Sequence, residues 1–156
     1  MFPPLDWPYA LRDTFHLLVA YVLALPVGWY REKEGHSIGV RTFPLVAMAS
    51  CGYVLLAAAP FMTTPDSRSR VIQGLLAGLG FIGGGAIFRS ESGVHGTATA
   101  ASIFTTGVLG AAVAEDRYIF AAVLGIVNLI SLRLLLPVKA RIDQEPNGNG
   151  KAGSLK

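Results

Sequence analysis

The apolar residues of this chain fall in long blocks, not in the alternation of a half-buried strand or the one-sided stripe of a surface helix. Five blocks approach the roughly 17–20 apolar helical residues that cross a bilayer core of about 30 Å. They run from about Thr14 to Tyr30, Phe43 to Met62, Val71 to Phe88, Thr97 to Ala114 and Tyr118 to Pro137. Between them lie short polar breaks: REKEGHSIGVRT, TTPDSRSR, a stretch opening at Arg89, and Glu115–Asp116–Arg117. The pattern predicts an all-α, polytopic membrane protein of about five transmembrane helices, with Pro26 kinking the first. Residues 1–13 form a leading segment, 14–137 the membrane domain, and 138–156 a polar tail whose Gly, Asn and Lys content predicts disorder.

Composition supports a bilayer over water. The 156 residues are 52% hydrophobic and 15% charged, which leaves too few charges to coat a soluble surface. The net charge of +3 comes from basic residues scattered over loops and tail, with no basic helix, so nucleic-acid binding is not expected and anionic lipid is. With the N-terminus outside, Arg31, Lys33, Arg41, Arg89, Lys139, Arg141, Lys151 and Lys156 fall on the inner face, against Arg12, Arg68, Arg70 and Arg117 outside. That excess predicts a periplasmic N-terminus and a cytoplasmic C-terminus. Arg133 lies near enough to the inner end of the fifth helix to snorkel. The leading residues show no basic region running into an apolar one, so no cleavable signal is expected.

The third helix holds Gly74, Gly78, Gly80, Gly83, Gly84 and Gly85, each costing nearly 1 kcal/mol of helix propensity in water. At 100° per residue Gly74, Gly78 and Gly85 lie within about 40°, and Ala77, Gly80 and Gly84 form a second smooth strip about 60° wide. Two strips predict two close helix neighbours, because small residues at i and i+4 let membrane helices approach. An alternative is that the glycines break the helix at membrane depth and line a cavity. A phosphate-cradling loop is not expected: the flanking strand and helix and any GKS or GKT are missing.

On the fourth helix Thr99, Ser102, Thr106 and Gly110 share a face about 80° wide. Its hydroxyls either bond back to their own helix and a neighbour, or form one wall of a polar crevice facing Gln73, with Asn128 and Ser131 as further partners. All ten acidic residues lie outside the spans or at their edges, so a carrier coordinating Mg²⁺ at membrane depth is not expected. His16, His36 and His95 have no metal-ligand spacing, no Ser/His/Asp or Cys/His set is evident, and Cys51 is a lone apolar-block thiol. No catalytic, metal or cofactor residues are therefore predicted. The chain is expected to be non-enzymatic, and to be either a partner-binding protein that self-associates through the third helix or a small transporter or channel.

Three stretches, GWYREKEGHSIGVRT (28–42), RVIQGLLAGLGFIGGGAIFR (70–89) and VHGTATAAS (94–102), together resemble the membrane domain of the bacterial MgtC/SapB family. The resemblance covers most of residues 14–137. It carries over Gly28, Arg31 and Glu32 at the end of the first helix, and Gly39, Arg41 and Thr42 ahead of the second. It adds Gln73, Gly78, Gly80, Phe81, Gly83, Gly85 and Arg89 along the third, then Gly96, Thr99 and Ser102 at the fourth. It implies an inner-membrane protein linked to low-magnesium adaptation, virulence and inhibition of the F-type ATP synthase, one that does not itself transport Mg²⁺. Longer family members add a soluble C-terminal domain, so the resemblance implies a short member here; His95 stands where relatives commonly carry Arg.

Overall fold

The computed structural model describes residues 7–35, 38–58, 65–90 and 93–142, apart from the side chains of 65 and 135–142. Five helices follow in order: α1 (Trp7–Lys33), α2 (Thr42–Ala57), α3 (Pro65–Gly85), α4 (Thr97–Ala114) and α5 (Tyr118–Ile142). Between α3 and α4 stands a two-stranded antiparallel hairpin, β1 (Phe88–Ser90) and β2 (Gly93–His95), with Phe88 opposite His95 and Arg89 opposite Val94. The chain is thus all-helical apart from one small hairpin. Among the described residues α1 and α4 are long and apolar enough to cross a membrane, and α2 and the Tyr118–Leu134 part of α5 are shorter apolar helices.

The helix ends depart from the sequence expectation for identifiable reasons. α1 begins at Trp7 and continues through Pro26; Pro8 is tolerated in the first turn, Ala10, Leu11 and Arg12 are good helix formers, and Thr14 donates a 2.7 Å hydrogen bond to the Ala10 carbonyl. α3 starts at Pro65, six residues before the apolar block. Proline at the first helical position and Asp66 in the first turn are helix-start chemistry, so the polar TTPDSRSR segment is partly helix rather than turn. At its other end α3 stops at Gly85, and Phe88 is strand. α5 carries its backbone past Pro137 to Ile142, so the predicted tail begins as helix; residues 143–156 lie outside the described set. α4 has the predicted limits, opening after Gly96 at φ 85° and closing at Glu115.

α4 is the hub, packing against all four other helices. One apolar cluster joins Ala20 and Ala24 of α1 with Ala47 and Cys51 of α2, Leu109, Ala112 and Val113 of α4, and Ala121 of α5. A second joins Val27, Phe43, Val46, Leu79, Ala86, Ile103 and Leu132. In the first cluster most of the contact residues are alanine, so the helices lie close there. At Gly110 an added Cβ would overlap the Ala47 backbone, and at Gly107 the Leu79 side chain.

Among the described residues the close neighbours expected for α3 are not found. A Cβ added at Gly74, Gly78, Gly80, Gly84 or Gly85 meets nothing within 4 Å, and only Gly83, which lies on neither smooth strip, abuts α4, 3.5 Å from the Ala100 carbonyl. Tight glycine packing belongs to α4, where Gly107 and Gly110 sit among bulky and backbone atoms; on α3 the smooth strips are left uncovered, Gly74 and Gly78 along the open side that α3 shares with α2 and Gly80 and Gly84 exposed beyond it. No break lies inside α3, whose helix runs unbroken from Pro65 to Gly85.

Candidate functional site

The three motif stretches converge at one end of the bundle. Gly28, on the last turns of α1, lies under the loop that leads into α2, and a Cβ there would come 3.0 Å from Val40 Cα and 3.1 Å from the Gly39 oxygen. Glu32, one turn on, accepts the Val40 N–H at 3.0 Å, and Gly39 is pressed against the Glu32 carboxylate with no room for a side chain. The Gly39 carbonyl then accepts from the N–H groups of Thr42 (3.1 Å) and Phe43 (3.3 Å), which starts α2. Gly28, Glu32 and Gly39 therefore form one clasp that fixes the turn between α1 and α2. Opposite them, Gly96 has φ 85° and lies so close to the Ala86 carbonyl that only glycine is accommodated.

Arg31 connects these two halves. It is 1% exposed, among the largest fully buried side chains, and its Nη2 donates to Thr99 Oγ1 in the first turn of α4. Its Nε has no partner. Arg41 and Arg89 belong to the same end but are exposed.

Below Thr99 the polar face of α4 is buried and internally satisfied. Ser102 Oγ donates to Asn128 Oδ1 at 2.9 Å, Asn128 Nδ2 returns to the Ser102 carbonyl at 3.5 Å, and Thr106 donates to that carbonyl at 2.8 Å. Thr99, Ser102, Thr106 and Asn128 are thus brought together across α4 and α5. Gln73 is not among them: it is exposed on α3, because α3 turns Leu79, Gly83 and Ala86 inward instead. The expected crevice between Gln73 and α4 is corrected to an α4–α5 contact.

The opposite end of the bundle holds a cluster the sequence did not announce. His16 is 1% exposed, donates from Nδ1 to the Arg12 carbonyl at 2.7 Å, and places Nε2 2.9 Å from Asp116 Oδ1. Tyr118 donates to the same carboxylate oxygen at 2.9 Å, and Arg12 pairs with Oδ2 at 2.7 Å. The His16 hydrogen bond, then those of Tyr118 and Arg12, hold the Asp116 carboxyl below the usual range. Asp116 itself adopts φ 57°, the left-handed geometry that ends α4. Arg68 pairs with Glu115 nearby and ties α3 to that turn. Arg12 and His16 are about a hundred positions from Asp116 in the chain, and only the helix packing makes them neighbours. Among the described residues no group of three His, Cys, Asp or Glu could hold a metal ion.

Between α2 and α3 runs an apolar groove of about 680 Å³, from Thr42 and Ile82 at the motif end to Tyr53 and Val71 at the other. Gly74, Gly78 and Ala49 keep it smooth. Ser50 lines it too, and its buried Oγ has no hydrogen-bond partner.

A helical bundle built on α4, with small residues at its contacts and apolar side chains over much of its exterior, defines a membrane-associated protein. The MgtC family profile matches residues 17–141, and the chain belongs to the MgtC family. Protein SrpB of Synechococcus elongatus is 37% identical over 126 residues, 71% of this chain and 66% of that protein. Protein MgtC of Salmonella typhimurium is 31% identical over 142 residues, 91% of this chain and 58% of its own length, and Protein MgtC of Brucella abortus 28% identical over 132 residues, 85% and 55%. The chain thus spans two thirds or less of the length of these relatives. No solved structure matches it.

Proposed function

We propose that this chain is a non-enzymatic regulator of the bacterial inner membrane, which acts by binding a membrane protein partner or a second copy of itself through the outward face of α3. The observation that carries the proposal is that five of the six α3 glycines have open space where a side chain would stand. Glycine is a poor helix former, and a glycine-rich strip with no intrachain neighbour gains nothing for the monomer. A second helix laid against Gly74 and Gly78, beside the groove, recovers that cost by close backbone contact. In this scheme all five helices span the bilayer, α2 and the Tyr118–Leu134 part of α5 as the shorter apolar crossings, with the N-terminus periplasmic and the motif end cytoplasmic. The family resemblance supplies the setting of low-magnesium or virulence adaptation, and the F-type ATP synthase as the first partner to examine.

Copurification tests this directly. Tagged wild-type chain solubilised gently from native membranes is expected to bring down itself or a membrane partner, and Gly78→Leu to lose that companion while keeping the monomer's fold, since a Cβ at that position has open space and the groove takes the rest of the side chain. An unchanged complex would overturn the assignment to α3. The competing transport scheme runs a polar path through Thr99, Ser102, Thr106 and Asn128. The mutual hydrogen bonds of Ser102, Thr106 and Asn128 argue against it. Solute flux in liposomes that is abolished by Asn128→Leu would reverse that judgement.

A further inference from the structure

Among the described residues no carboxylate forms an ion pair with Arg31, although its side chain is buried. A guanidinium has five N–H donors in a planar fork and remains charged at any physiological pH. Here it is 1% exposed, its bond to a side chain is the one to the neutral Thr99 hydroxyl, and Nε is unpartnered. Its acidic electrostatic neighbour is Glu34, exposed on the same helix end, and among the described residues the two form no ion pair. Burying a charge this way is costly unless an opposite charge completes the arrangement.

The other side of the site has the same sign. Thr99 is the third residue of α4, an 18-residue helix whose N-cap is Gly96 and receives no side-chain cap. The first-turn amides of a helix have no carbonyl partners of their own and carry the positive end of its dipole. Gly96 offers no side-chain oxygen to them, and Thr97 and Ala98 are exposed, so that turn opens to the surface with Arg31 behind it. A buried guanidinium and an uncapped helix N-terminus, facing one another across a hydroxyl that donates as readily as it accepts, make the donor set of an oxyanion site.

We infer that Arg31, Thr99 and the first-turn amides of α4 bind a phosphate group, either of a phospholipid head or of free inorganic phosphate. The lipid source is consistent with the position of the site: Arg31 lies two residues before the end of α1, at the level where an apolar helix leaves the hydrocarbon. Arg41 and Arg89 at the same end draw anions toward it without forming part of it.

The test uses the full chain in a phosphate-free maltoside detergent, with thermal unfolding followed at constant ionic strength. Inorganic phosphate replacing chloride is expected to raise the midpoint in a saturable way. Phosphatidylglycerol added to the micelles separates the sources: it raises the midpoint and abolishes the phosphate increment if the headgroup occupies the site, and leaves that increment intact if free phosphate does. Arg31→Gln is expected to weaken the response about tenfold or more, and Arg31→Lys less, because the ammonium keeps the charge but loses the fork. Arg41→Gln is expected to respond as wild type does. No rise with either source in the wild-type chain, a conclusion that requires no variant to fold, would overturn the inference, as would an equal rise in Arg31→Gln.

Discussion

Glycine has opposite meanings on adjacent helices of this protein. At Gly110 the α4 backbone lies against that of α2 at Ala47, so Gly110→Leu forces the helices apart at the hub; a loss above about 3 kcal/mol is expected, read as failure to unfold cooperatively in detergent or as lost expression. At Gly78 an added Cβ meets nothing within 4 Å and the longer side chain enters the open groove, so Gly78→Leu is expected to leave the unfolding midpoint within a degree or two of wild type, or to raise it, since a helix-breaking residue is removed. The Asp116 cluster gives a pH prediction. A carboxyl held below its ordinary range contributes stability that is fully present above that range, and this is lost as pH falls through the depressed value. Thermal midpoints taken from pH 7 down to pH 3 should therefore decline below about pH 4, and Asp116→Asn should flatten that decline. A decline unchanged in Asp116→Asn would show that other carboxylates account for it.

The reach of the sequence differs from one element to the next. α4 was legible to the residue because no charge or proline interrupts it and Gly96 and Glu115 mark its ends. The early start of α3 was also written there, in Pro65 and Asp66, but the hydrophobic pattern outweighed the capping chemistry. The hairpin of β1 and β2 is three residues a strand, too short for its alternation to show, and Phe88 reads equally well as the last apolar residue of a helix. Which face of α3 turns inward was not legible at all. Its glycines offer more than one smooth direction, and the choice falls to Leu79, which the second core cluster takes together with Ala86 just past the helix end. Likewise the clasp of Gly28, Glu32 and Gly39 appeared only as motif letters, since its content is a backbone contact. At this scale the Ser102–Asn128 pair is the simplest test: Asn128→Leu is expected to cost about 1 kcal/mol, the order of an interhelical hydrogen bond in a membrane protein. A cost several times larger would mean that the amide has a further role.

For the whole molecule, α4 binds the bundle while the outward strips of α3 take no part in the internal packing. Phe81 stands on that outward side and is 85% exposed, against 83% for Ile119 on α5. Lipid can cover both, but the proposed function gives a polypeptide neighbour to the first alone. Cys51 is the chain's single cysteine and is buried, so a Cys51→Ala background carrying Phe81→Cys or Ile119→Cys reports each surface separately. The measurement is crosslinking of the two variants in native membranes with a short thiol-to-thiol and thiol-to-amine reagent pair. A discrete higher-mass adduct from Phe81→Cys, missing from Ile119→Cys and lost when Gly78→Leu is added, is the predicted result. Equal crosslinking from the two positions, or none from Phe81→Cys, would contradict the account.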